Sequence, residues 1–221
     1  MHGLYEIIFA PEETFKKQTN PWVPFIASII LTLFVTVLFS KLSYPFLLER
    51  IQERISQLSP EEQEKALASV SLTTITVFGA VGAVINTAFK IVLLSLIYYL
   101  IFIAMGSTLR YLSVMIPVSF GAYISSIGGL FKLIIGAVTK NPYPQTSLAL
   151  LYGRFSPHLA KLWHYKLLSQ IDIFTLWSLF IMATGLWVIA RIEKKKTFLV
   201  VFGLWGIYIL IISFIPVPGI K

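Results

Sequence analysis

Residues 22 to 40 read WVPFIASIILTLFVTVLFS, without one charged side chain. A helix of about 20 apolar residues spans the roughly 30 Å hydrocarbon core of a bilayer. At least three later runs resemble this one. In hydrocarbon, a spanning segment must satisfy its backbone polar groups within the protein, which an apolar run of this length does as a helix. The expected fold class is therefore all-α: a polytopic integral membrane protein.

The composition agrees. Of 221 residues 57% are hydrophobic and 13% charged, about half the charged share of a soluble domain. There is room for five or six membrane helices, and no polar stretch is long enough to wrap a core of its own. A single membrane domain over residues 1–221 is expected. Because the apolar runs are spread along the chain, and the first lacks a small-residue cleavage site, one cleavable signal does not explain them. The net charge is +8. In a membrane chain, Lys and Arg collect at helix ends, where they reach anionic headgroups. The expected partner is thus a bilayer with anionic headgroups and not nucleic acid. A second copy or another membrane protein is a further partner this reading allows. The chain has no cysteine, which removes disulfides, thiol catalysis and Cys-ligated metals.

Working outward from residues 22–40, the N-terminal side reads as an amphipathic segment at the membrane surface. In FAPEETFKK, Pro11 suits a first helical turn, Glu12 and Glu13 suit its positive end, and Lys16 and Lys17 suit the other end. Leu4, Ile7, Ile8 and Phe15 supply apolar surface. On the C-terminal side, Leu48, Ile51, Ile55 and Leu58 are spaced 3, 4 and 3, one helical face. A separate surface helix over 46–58 is expected. Ser59-Pro60-Glu61-Glu62 then combines a capping serine, a proline at the first position and a glutamate at the third, so two helices should meet near Leu58.

The tract from Ala66 to Gly106 is apolar but for Lys90. No Gly or Pro flanks Lys90 in NTAFKIVLL, and a turn there would need such residues. One long helix over 71–105 is the preferred reading, with two short spans the other. A third span runs over 111–133, with Pro117 expected to bend it. Gly121, Ala122, Ser125, Ser126, Gly128 and Gly129 make it rich in the small residues that let membrane helices approach. TKNPYP is a loop. Ser156-Pro157 repeats the cap-then-proline start, and Leu159, Leu162, Trp163 and Leu167 form an apolar stripe opposite Lys161 and His164, so a second interfacial helix is expected over 157–168. The remaining spans are 171–190 and 198–214, the last stopped by Pro216 and Pro218. The basic loop Arg191 with Lys194 to Lys196 places that end in the cytoplasm by the positive-inside rule. Five spans then put the N-terminus in the cytoplasm and the C-terminus outside, although four basic residues between Lys140 and Lys166 fall outside.

Few residues carry chemistry. The histidines are His2, His158 and His164, none in a span, and the last two are six apart rather than in the i, i+4 pairing of zinc proteases. No metal site and no cofactor are expected. The only aspartate is Asp172, so paired-aspartate proteolysis and Asp-rich magnesium sites are excluded. The nine glutamates read mostly as solvated helix faces. A lysine at the centre of a membrane helix costs about 2.5 to 3.5 kcal/mol on insertion scales, which singles out Lys90. In the five-span topology Lys90 and Asp172 fall in the same outer leaflet and could pair across helices. Asn86 lies one turn from Lys90, and Gly79 and Ala83 continue that face as packing positions, with Gly121 and Gly128 on the following span. The functional reading is a polar site or ion path lined by Lys90, Asn86 and Asp172. The plainer reading is that Lys90 snorkels and Asp172 starts a helix near the headgroups.

Three segments together resemble a known family. IIFAPEETFKK (7–17), YLIFIAMGSTLRYLSVMIPVSFGAYISS (99–126) and above all IDIFTLWSLFIMATGLWVIARIEKKKT (171–197) look like the prokaryotic branch of the Yip family, named for interaction with Ypt/Rab GTPases. The last has an Ile-Asp-Ile-Phe opening, a Trp, a Gly eight residues later and a basic loop. The resemblance covers nearly the whole chain. It implies five membrane helices, a cytoplasmic N-terminus and an outside or lumenal C-terminus. Eukaryotic relatives act in early secretory traffic and membrane shaping. The long hydrophilic N-terminal region of those relatives is not in this sequence, so GTPase binding is not carried over. The sequence reading is an integral protein of the prokaryotic cell membrane, not an enzyme, acting as a membrane-organising scaffold. The alternative is a small channel or transporter built around Lys90 and Asp172.

Overall fold

The computed structural model describes residues 3–18, 20–56, 59–69, 71–141, 144–152 and 162–215. Among these the fold is helical: α1 (Gly3–Phe9), α2 (Pro11–Lys17), α3 (Trp22–Ile55), α4 (Pro60–Ser69), α5 (Leu72–Ala104), α6 (Tyr111–Thr139), α7 (Trp163–Gln170), α8 (Ile173–Ala190) and α9 (Lys194–Phe214), with a 3₁₀ turn at Leu148–Tyr152. Five of them, α3, α5, α6, α8 and α9, are long and apolar enough to cross a membrane.

The long tract around Lys90 is one helix. It starts at Ser71, whose side chain accepts a hydrogen bond from the Thr74 N–H, and runs unbroken to Ala104. The cap before α4 has the expected reciprocal form: the Glu62 carboxylate accepts from the Ser59 N–H at 3.1 Å, and the Ser59 hydroxyl accepts from the Glu62 N–H.

Other boundaries differ from the sequence reading. Residues 46–55 are not a separate surface helix but the continuation of α3, with Pro45 inside it. A proline removes one intrahelical hydrogen bond, but α5 is almost as long as α3 and packs beside it, and Leu48, Ile51 and Ile55 are half-buried. At 1.5 Å per residue α3 is about 51 Å long, well beyond a bilayer core. Helix α6 continues to Thr139, six residues past the expected end. Helix α9 begins at Lys194, because the lysine run joins its first turn: Lys194 lies over the Trp187 ring at 4.8 Å and Lys196 pairs with Glu193 at 3.3 Å. Trp163–Gln170 is helical. The expected start at Ser156-Pro157 and the residues 157–161 lie outside the described residues, as do His2, Leu58, His158, Pro216 and Pro218.

Helix α6 is central and packs against α3, α5 and α8, with α9 outside α8. Close approach comes from small residues. On α3, Ser28, Thr32, Thr36 and Ser40 recur every four residues, one side of a helix, and each hydroxyl bonds a backbone carbonyl or a neighbouring hydroxyl. The Thr32 and Ser126 hydroxyls meet at 2.8 Å across α3 and α6. Between α6 and α8 the contact is tighter: a Cβ built on Gly121 would lie 2.5 Å from Met182, one on Gly128 2.6 Å from Phe174, and one on Gly185 2.5 Å from Pro117. Glycine there lets the backbones meet. The Ser178 hydroxyl donates to the Gly121 carbonyl at 2.8 Å within this seam.

The N-terminal hairpin of α1 and α2 does more than lie at a surface. Helix α2 packs on α8, and Ile7 and Phe15 are buried with Ile116, Phe120, Ile124 and Ile181. The Phe15 ring meets Phe120 edge-on at 5.5 Å. The cleft that receives it exists because Gly185 has no side chain: a Cβ there would come within 2.6 Å of Phe15.

Candidate functional site

Asp172 stands immediately before α8 with an extended backbone and caps it, its Oδ1 accepting from the Phe174 N–H at 2.8 Å. Short polar residues take this position because their oxygen satisfies a backbone donor that the first turn leaves open. Its Oδ2 accepts from the Thr146 hydroxyl and lies 3.3 Å from the Lys132 ammonium of α6. The neighbouring backbone is tied in as well, the Leu148 N–H donating to the Ile171 carbonyl at 2.9 Å. The side chain is 4% exposed, whereas that of Lys132 is 45% exposed. Burial alone raises a carboxyl pKa. Here the Thr146 hydroxyl, the Lys132 charge and the Phe174 N–H more than offset it and hold Asp172 below its ordinary value of 3.8.

Beside this cluster lies a groove of about 350 Å³ between α3 and α6, lined by Val35, Phe39, Gly129, Leu133 and Pro144, with Lys132 at one wall. It is a mostly apolar slot with one cation and the Gln145 amide in its lining. Sequence reasoning did not single out Lys132 or Thr146. Lys132 had a signal of the same kind as Lys90, a lysine within the apolar run GGLFKLII. Thr146, in a loop, had none.

Lys90 and Asn86 are elsewhere. Both are exposed on α5, between Ile85 and Phe89, which are 63% and 62% exposed. Lys90 is fourteen residues from Ala104, about 21 Å along the axis, which falls within a core about 30 Å thick if Ala104 marks one boundary. The structure brings Lys90 and Asn86 onto one outward face and leaves Asp172 with Lys132. Of the packing positions, Gly79 faces α3, where a Cβ would make ordinary contact with Thr36 and Ser40 at 3.8 Å, and Ala83 is half-buried. His164 stacks on Tyr152 at 5.5 Å and Trp163 on Phe214 at 5.6 Å, an aromatic cluster of the kind found at bilayer boundaries.

Chemically the two arrangements differ. The Asp172 cluster is an ion pair and cap that joins α6, α8 and the segment between them. The α5 face offers an ammonium without an ion pair to any described carboxylate, and an amide, on a surface with exposed apolar residues.

Comparison with known proteins places this bundle. The Yip1 domain family matches residues 5–215. The chain is also similar to the membrane protein YknW of Bacillus subtilis (strain 168), 28% identical over 214 residues, which are 94% of this chain and 87% of that protein. No solved structure matches it.

Proposed function

The chain belongs to the Yip1 domain family of membrane proteins, and from that premise we propose that it is a non-catalytic scaffold that organises other components of a cell membrane. The observation that carries this reading is the outward placement of Lys90 and Asn86 on α5. Polar groups that line a path through a protein face its interior or a water-filled cavity. Polar groups on an outer face within the hydrocarbon serve contact with what lies beside the protein, a headgroup reached by snorkelling or a neighbouring helix. The exposed apolar residues around them, Ile85, Phe89, Leu93 and Leu96, suit a membrane neighbour. The orientation that goes with this reading has a cytoplasmic N-terminus and an outside C-terminus.

The alternative, a small channel or transporter around Lys90 and Asp172, needs the two in one path. Asp172 is engaged by Lys132 and Thr146 instead. Reconstituted vesicles separate the two functions. The scaffold reading expects no ion or solute flux from the wild type, and a Lys90→Met protein that folds as well as the wild type or better, because a costly charge is gone. It also expects a cysteine at Phe89 to cross-link to a membrane protein, or to a second copy, in native membranes, and Lys90→Met to reduce that adduct. A reproducible flux lost in Lys90→Met would replace the scaffold with the transporter.

A further inference from the structure

At the end of the bundle opposite Asp172, the α5–α6 and α8–α9 connections lie side by side. The Ser107 hydroxyl donates to the Ala190 carbonyl at 2.9 Å and ties them together. Between them opens a pocket of about 490 Å³, lined by Gly106 to Arg110, Ser113 and Ile189 to Ile192. That volume is typical of a small-molecule site.

Its lining has one chemical character. Arg110 and Arg191 both border it, and no carboxylate does. Neither arginine forms an ion pair with a described carboxylate, and the nearby Glu193 is paired with Lys196. Thr108 and Ser113 add hydroxyls. Helix α6 starts at Arg110 with no side-chain cap, so its positive dipole end adds to the field of the two guanidinium groups. The backbone that shapes the pocket is unusual: Gly106 has φ 88°, and Arg191 stands at φ 54° in the left-handed cap position where glycine is usual. A guanidinium is a planar fork of donors matched to phosphate oxygens. Two arginines lining one concave site, with hydroxyls and no acid among the lining residues, suit an anion.

We propose that this pocket is a stoichiometric binding site for a phosphate group, carried either by an anionic phospholipid or by a soluble phosphate compound. Its place at the ends of the spans Tyr111–Thr139 and Ile173–Ala190 opens it to both. It goes beyond the scaffold reading and does not depend on it.

The test uses the full chain in detergent micelles, with native mass spectrometry counting bound molecules. The probes are phosphatidylglycerol, phosphatidylcholine, inorganic phosphate and glycerol 3-phosphate. The expected result is one tightly held phosphatidylglycerol per chain, in preference to phosphatidylcholine. Arg110→Gln and Arg191→Gln should each weaken it about tenfold, while Lys65→Gln, at an exposed side chain of α4, leaves it unchanged. Binding of inorganic phosphate or glycerol 3-phosphate with the same arginine dependence, and no retained lipid, would support the site and assign its ligand to the aqueous phase. Arg191→Gly guards against misfolding as an explanation: glycine suits the left-handed backbone, so thermal stability should hold or rise while binding falls about tenfold. Unchanged binding in the Arg191→Gly or the double Gln variant would overturn the proposal. So would graded adsorption that Lys65→Gln reduces equally.

Discussion

The Lys132 ammonium of α6 lies 3.3 Å from the Asp172 carboxylate that caps α8. The chain's only aspartate therefore fastens one end of the central α6–α8 seam, and Lys90, the lysine that stands out most in the sequence, is left on the outer face of α5. Three glycines, Gly121, Gly128 and Gly185, hold the same seam from within.

The seam should resist any added carbon. Gly128→Ala and Gly185→Ala each place a Cβ within 2.6 Å of Phe174 or Pro117, and overpacking of this kind costs about 1–3 kcal/mol. Gly203→Ala in α9 meets nothing within 4 Å and should be neutral or slightly stabilising, since alanine is the better helix former. Thermal unfolding in one detergent checks the contrast.

Removing the carboxylate of Asp172 should cost more than removing its charge. Asp172→Ala loses the cap and strands the Thr146 hydroxyl, a destabilisation of about 2 kcal/mol. Asp172→Asn keeps an acceptor for the Phe174 N–H and loses an ion pair whose lysine is 45% exposed, so about 1 kcal/mol or less is expected. The same unfolding measurement ranks the two.

The pH dependence has a definite sign. The folded-state pKa of Asp172 lies below the ordinary 3.8, so its contribution is fully present above the ordinary value and is lost as pH falls through the lowered one. Wild type and Asp172→Asn should differ in stability at neutral pH and converge as the solution is acidified past 3.8. A gap that widens on acidification would contradict the pairing.

Docking of the N-terminal hairpin should depend on one ring. Phe15 is 3% exposed, and truncation of such a residue costs about 3–5 kcal/mol. In Phe15→Ala the hairpin should detach while the five long helices persist. Limited trypsin digestion would then cut at Lys16 or Lys17 much faster than in the wild type, with unchanged helical circular dichroism.

Sidedness can be read with single cysteines, because the chain has none of its own. An odd number of crossings separates α4 from the α8–α9 connection in the proposed topology. Cysteine at Lys195 should react from the cytoplasmic side only and cysteine at Glu61 from the outside only. Labelling of both from one side would refute it.

Much of the fold was legible before any tertiary structure. The five long apolar helices, the unbroken helix through Lys90 and the Ser59–Glu62 cap follow from signals that act within a few residues: hydropathy over one bilayer thickness, the absence of a turn former, and a side chain's reach to its own first turn. The Yip resemblance rests on such runs, and the family match bears it out. Where local signals misled, a neighbour had overruled them. Residues 46–58 read as a separate surface helix, but through Ile55 they continue α3, beside an α5 of almost the same length. Residues 1–20 read as a surface segment, but Phe15 finds a cleft that the missing side chain of Gly185 leaves open. Asp172 reads as either a cap or one half of a pair with Lys90. It is a cap paired with Lys132, because the choice between lysines depends on which helix lies within about 4 Å. Periodicity and composition fix which residues must be helical and which must meet lipid. Which helix face meets which other face is decided by close packing across residues far apart in the chain, and only the assembled bundle contains those distances.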